Sequence, residues 1–201
     1  MLFRHNHLFS KIQSVQSRSY LVGGKGSLRF VVGCDLNEFR RYYERLRGLH
    51  DYYRLLNIPD VVFGELGPTE ETIIKRDPSH VIVWRKREKI VGHALWHEES
   101  IDRFKTVGDE ESQGVLEGFL GERRDFVELH EVWLEEKDRG KGYGNKFFEF
   151  FEDLIKRRGH EVIVYFTAHP AALAICRSRG YNEVFLEKEK WHVFVLALKP
   201  L

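Results

Sequence analysis

A chain of 201 residues with 42% hydrophobic and 31% charged residues has the composition of one soluble domain around a single sizeable core. Its 32 basic and 31 acidic residues leave a net charge of +1, so no global field marks nucleic acid or a membrane surface as partner. The two cysteines, Cys34 and Cys176, lie far apart and without C-x-x-C spacing. That excludes a disulfide scaffold and a zinc ribbon and points to a reducing compartment, taken as the cytoplasm; no apolar run reaches membrane-spanning length.

Residues 1–34 hold five Lys/Arg, five Ser and no Asp or Glu, a composition with the flavour of a mitochondrial transit segment. The reading favoured here is a short basic extension over 1–27 that turns at Gly23-Gly24-Lys25-Gly26 into a strand at 28–32. Asp35-x-x-Glu38 then reads as a capping box ahead of a helix with Phe39, Tyr42, Tyr43 and Leu46 on one face. A second aromatic cluster, Tyr52, Tyr53, Leu55 and Leu56, follows Gly48. Residues 59–78 are loop-rich, with one short helix expected at 70–75. A hairpin of 81–84 and 90–97 follows around the charged turn Lys86-Arg87-Glu88, with His93, Leu95 and His97 on one face of its second strand.

The link 98–125 is long for a hairpin and carries nine acids against four bases. Leu116, Phe119 and Leu120 imply one short amphipathic helix inside it. It is either a solvated acidic face or an acidic rim over a site for a cation. Residues 126–134 alternate as a strand, which places Glu128, His130 and Val132 together on one side. After the turn 139–144 comes a helix over 145–158 with Phe147, Phe148, Phe151, Leu154 and Ile155 as its apolar face, closed by Gly159. A strand at 161–167, a helix opening at Pro170 and ending at Gly180, and strands at 183–187 and 191–198 complete the chain.

The turn Arg139-Gly140-Lys141-Gly142-Tyr143-Gly144 has the make-up of an anion site. Its glycines let backbone N–H groups close on a ligand, and the helix behind it offers unpaired donors and a favourable dipole. Arg139 and Lys141 add positive side chains at the same mouth, so the expected ligand is a phosphate or pyrophosphate. It is not a P-loop, because no G-x-x-x-x-G-K-[ST] window exists, and neither glycine pair continues as G-x-G-x-x-G.

What stands is R-x-x-G-x-G directly after a strand, which resembles the coenzyme A pyrophosphate loop, [QR]-x-x-G-x-[GA], of the GCN5-related N-acetyltransferases. A second block, running from His169 to Tyr181, resembles the family's N-x-x-A-x-x-[LF]-Y-x-x-x-G-[FY]. His169 takes the Asn position, Ala172 the Ala, Ile175 the large apolar residue and Gly180-Tyr181 the closing pair. Cys176 stands where the family carries Tyr. The resemblance covers roughly residues 29–198 and implies an α/β (α+β) fold: a mixed, twisted sheet of six to seven strands with helices on both faces, over 28–201.

It also implies acetyl-CoA as acyl donor and an amine acceptor, small or on a protein, which the acidic link would suit if cationic. The expected assembly is a monomer or homodimer. The pantetheine arm would run along Val132, Trp133 and Leu134, with the pyrophosphate at 139–144 and His169 and Ala172 beside it. Glu128 stands eleven residues before Arg139, the place of a catalytic glutamate in histone-acetylating members, and His130 matches a histidine of arylalkylamine acetyltransferases. Either is a candidate base. With Cys176 in place of Tyr, protonation of the departing thiolate would fall to Tyr165, Tyr181 or water. A metal held by His93, His97, His130 and Glu128 is conceivable but not expected. The rival reading is a non-catalytic acyl-CoA-binding module that kept the loop and lost the chemistry.

Overall fold

The computed structural model describes residues 19–22, 28–55 and 65–199. The first 18 residues, the turn at Gly23-Gly24-Lys25-Gly26, Leu56 and the start of the loop-rich passage lie outside them. Among the described residues eight strands form one sheet: β1 (Ser19–Val22), β2 (Leu28–Val32), β3 (Val81–Lys86), β4 (Lys89–Ser100), β5 (Asp125–Leu134), β6 (Val162–Thr167), β7 (Asn182–Leu186) and β8 (Trp191–Ala197). Their order is β1-β2-β3-β4-β5-β6-β8-β7. Every pairing is antiparallel except β5 with β6. The expected sheet of six to seven strands gains β1, which pairs with β2 from within the stretch read as an extension.

Helices cover both faces. On one side lie α6 (Tyr143–Arg157) and α7 (Pro170–Ser178), whose apolar residues meet Phe30, Trp84, Trp96, Val127 and Leu129 of the sheet. On the other lie α1 (Leu36–Tyr43), α2 (Arg47–Leu55) and α3 (Pro68–Arg76), where Phe39, Tyr42, Tyr43, Leu49 and Ile74 pack on Val81, Val83, Leu95 and Trp133. Asp35 caps α1 as its sequence implies, its carboxylate accepting from the Glu38 N–H at 2.9 Å.

The link 98–125 holds two helices rather than one, α4 (Asp102–Val107) and α5 (Glu110–Leu120). Ile101 and Phe104 supply the apolar partners that Leu116 and Leu120 need, and together they seal Phe126, Val162, Val164, Val193 and Val195. This pair therefore covers the half of the sheet that α1–α3 leave bare. Helix α6 begins at Tyr143, two residues before the expected start. Gly142, at φ +74°, occupies its N-cap position, so the glycine turn runs straight into helix.

Candidate active site

Strands β5 and β6 pair in parallel at two positions only, Val127 with Ile163 and Glu128 with Val164. Both strands continue, to Leu134 and Thr167, and past those pairs they diverge. A cavity of about 440 Å3 opens in the gap. Val132, Trp133 and Leu134 wall one side and Tyr165, Phe166 and Thr167 the other, with Gly140, Gly142, Gly144, His169 and Ala172 toward α6 and α7. A mostly apolar cleft beside an unpaired strand edge suits an extended arm that carries amides.

At the loop, Gly140 and Gly142 have φ of +73° and +74°, a region L side chains rarely adopt. The first backbone bond of α6 runs from the Lys146 N–H to the Gly142 carbonyl, and no side chain caps the helix. The N–H groups of its opening turn are the donors an anion would meet. The charged side chains are used otherwise than expected. Arg139 lines the cavity, but its Nε donates to the Leu134 carbonyl at 2.9 Å and its guanidinium lies 4.4 Å over the Trp133 ring. Lys141 is turned to Asp138 at 3.0 Å, which also holds Lys86 at 2.9 Å. These contacts tie the loop to the sheet. His169 caps α7, its Nδ1 accepting from the Ala171 N–H at 3.2 Å. Burial, helped by the Arg139 charge, lowers its pKa and keeps the ring neutral.

Strand alternation fails once, at His130. Across the β4–β5 ladder Leu95 faces Glu131 and Trp96 faces Leu129, so His130 is an extra residue in a bulge. Glu128 and His130 share a face as expected, but the bulge removes Val132 from it. Val132 falls on the α6–α7 side, and Glu131 turns to the tyrosine side. Glu131 is 3% exposed and accepts from the hydroxyls of Tyr43 (3.1 Å) and Tyr53 and from His93 Nε2. His93 in turn meets the Tyr42 hydroxyl through Nδ1 at 3.1 Å. Burial would raise the Glu131 carboxyl, but the His93 charge and the hydrogen bonds from His93 and Tyr53 outweigh it and hold it below the usual range. Glu131, His130, Tyr52 and Tyr53 all line the cavity. The alternation reading passed over Glu131. Its signal was the adjacent polar pair His130-Glu131 between Leu129 and the apolar run Val132-Trp133-Leu134, since a regular strand cannot turn both to one side.

Glu128 does not line the cavity. Its Oε1 is 3.1 Å from His130 Nδ1 and 3.8 Å from His97 Nε2, and its Oε2 accepts from Arg103 at 3.3 Å. Burial would raise the Glu128 carboxyl, but His130 and His97 outweigh it and hold it far below the usual carboxylate range. His130 also reaches Glu70 at 3.4 Å. Burial pulls its pKa down, but the bonds to Glu128 and Glu70 prevail and raise it to about 10.

A family profile, described as acetyltransferase (GNAT) family, matches residues 39–181. The chain belongs to this family. Among curated proteins no sequence match reaches significance. Solved structures of GNAT-fold acetyltransferases share its fold at low identity. A mosquito arylalkylamine N-acetyltransferase-like 5b superposes with a TM-score of 0.62 at 15% identity, over 85% of this chain and 100% of that one. The polyamine N-acetyltransferase of Drosophila melanogaster, which forms N-acetylagmatine, gives 0.62 at 12% identity, over 85% and 100%. A chain of the NatC complex bound to Gag peptide and CoA gives 0.57 at 12%, over 86% and 99%.

Against the GNAT pattern, Cys176 is fully buried among the α6–α7 core residues and outside the cavity lining, and burial pushes its thiol up to about 12. Tyr181 donates its hydroxyl to Glu152 at 3.1 Å. Of the two tyrosines considered as acid, Tyr165 alone lines the cavity. No residue of 98–125 lines it either. Acids of that link are engaged locally: Glu99 with Arg103, Asp102 with Arg124, and Glu111 with the backbone N–H groups of Glu187 and Lys188. The link is thus cover for the sheet, not a rim of this cavity.

Proposed function

We propose that this chain is an amine N-acyltransferase that takes its acyl group from acetyl-CoA and passes it directly to an acceptor amine in a ternary complex. The observation that carries the reading is the position of Glu131, a buried carboxylate facing the cavity where β5 and β6 diverge. In this reading the pyrophosphate rests on the N–H groups at 139–144 and the pantetheine arm lies along Val132, Trp133 and Leu134. The α1–α2 side brings the amine, and Tyr52 and Tyr53 line its approach. Glu131 takes the proton that the amine sheds on attacking the thioester. The Tyr43, Tyr53 and His93 hydrogen bonds keep that carboxylate ionised and aimed. Coenzyme A leaves as the thiolate, with Tyr165 or water as its proton source. Glu128 and His130 belong to the same face, His130 beside the acceptor and Glu128 fixing its ring.

The test is release of CoA thiol from acetyl-CoA on addition of an amine panel spanning arylalkylamines, polyamines and N-terminal peptides. Turnover with one class supports the reading and names the acceptor. Tight acetyl-CoA binding with no thiol release for any class would make the chain a non-catalytic acyl-CoA-binding module.

A further inference from the structure

We propose that His97, Glu128 and His130 form a site for one zinc ion on the face of the sheet beside the acyl cavity. The three come together through the ladder. His97 on β4 lies directly opposite Glu128 on β5, and His130, two residues further along β5, points to the same side. One donor atom from each lies within 4.8 Å of the other two. His130 Nδ1 is 3.1 Å and His97 Nε2 3.8 Å from the same oxygen, Glu128 Oε1. Tetrahedral zinc with bonds of about 2.0–2.2 Å sets its donor atoms about 3.3–3.6 Å apart. The two edges to Glu128 lie within a few tenths of an ångström of that spacing, and the edge between the two imidazole nitrogens, at most 4.8 Å, closes by rotation of the rings.

The partners on the far side of each ligand are those a metal site needs. The ring nitrogen of His130 not facing Glu128 lies 3.4 Å from Glu70 Oε1, and that of His97 lies 3.3 Å from the Glu98 carbonyl. The second oxygen of Glu128 is held by Arg103. Each ligand is thus oriented from behind, with its donor atom directed inward. Charge points the same way. Glu70, Glu99 and Glu128 surround the cluster, and Arg103 is the permanent cation paired with Glu99 and Glu128. With both imidazoles neutral the excess is two negative charges, which one divalent ion that displaces the His130 proton cancels. Two imidazoles and a carboxylate, with no thiolate, are donors suited to zinc and leave a fourth position for water or a ligand. Because His130 lines the acyl cavity, the ion lies next to the acceptor end and holds the bulge that aims Glu131.

The experiment is a zinc titration of the chelator-stripped full chain against a chromophoric chelator. One ion per chain bound at sub-micromolar concentration is expected. His97→Ala and His130→Ala should each weaken it at least a hundredfold, and Glu70→Gln about tenfold, the scale of losing an outer partner. His192→Ala, at a histidine on β8, should leave it unchanged. Circular dichroism and CoA affinity establish that each variant is folded. Absence of stoichiometric binding by the parent chain overturns the proposal without reference to any variant. Binding that survives both His97→Ala and His130→Ala overturns it equally, because the ion then lies elsewhere.

Discussion

His130 and Glu131, consecutive in β5, both direct their side chains to the tyrosine face of the sheet, because the strand bulges at His130. One irregularity thereby sets two side chains in the cavity between β5 and β6 where a regular strand would give one. Restoring regular pairing should undo it. Deleting His130 would leave Leu129 opposite Trp96 and Glu131 opposite Leu95 in unbroken alternation, so Glu128 and Glu131 keep their face while the cavity loses the imidazole and Glu128 its nearest partner. A folded variant, destabilised by about 1–3 kcal/mol in denaturant unfolding for the partner lost, is expected. A deletion variant that fails to fold would show that the sheet itself needs the bulge.

The glycine turn makes a second prediction. Gly142 sits at φ +74° with nothing within 4 Å of where a Cβ would lie, so the obstacle to substitution is backbone conformation, not space. Gly142→Val should cost about 1–2 kcal/mol in strain or reshape the turn. In either case the helix N–H groups lose their aim, and calorimetry should find CoA binding weakened at least tenfold in a protein that still folds. Unchanged affinity would remove the pyrophosphate from this loop.

Asp138 fastens that loop from below through Lys86 and Lys141. Burial would raise its carboxyl, but the two lysines prevail and lower it below its ordinary value. A carboxyl lowered on folding contributes stability that is present above about pH 4, its unfolded range, and is lost as pH falls through the lower folded value. Asp138→Asn should therefore destabilise the protein at pH 7 and converge with the parent at strongly acid pH. A stability difference independent of pH would mean that packing, and not charge, accounts for Asp138.

Much of this was legible in the sequence because it is local. The capped start of α1 at Asp35, the positive-φ glycines before α6, and the opening of α7 at Pro170 each depend on residues within one turn of each other. The hairpin of β3 and β4 with His93, Leu95 and His97 on one side followed from simple alternation. What escaped is non-local. The divergence of β5 from β6 depends on where two strands 36 positions apart stop pairing, after Glu128 and Val164. Helix α4 shows no amphipathic repeat of its own in six residues, and it forms because Phe104 has Phe126 and Phe166 to pack against. The turning away of Lys141 needed Asp138 to be buried, which no spacing reveals.

Cys176 offers a negative prediction. Fully buried and with its thiol pushed up to about 12, it should resist alkylation in the native protein at pH 8. Cys176→Ala should cost about 1 kcal/mol of stability for the small cavity and leave kcat within about threefold. A hundredfold loss of kcat at unchanged stability would make Cys176 the proton donor to the thiolate after all.

The acidic link gives another. Asp109 caps α5, accepting from the Ser112 N–H at 3.1 Å. Asp109→Ala should lower stability by about 1 kcal/mol. It should leave KM for the amine unchanged at low salt, since 98–125 does not line the cavity. A rise in KM that salt abolishes would restore the link to the acceptor site.

The most direct measurement is the steady-state rate of thiol release by Glu131→Gln beside Glu128→Gln and His130→Gln, with CoA affinity measured on each. Glu131→Gln should lower kcat about 10²–10⁴-fold near neutral pH with CoA affinity almost unchanged, and recover in part at higher pH as free amine increases. Glu128→Gln should cost less, since Glu128 reaches the cavity only through His130. If Glu131→Gln keeps kcat within about threefold while Glu128→Gln or His130→Gln abolishes turnover, the base is not the carboxylate in the cavity and the account is contradicted.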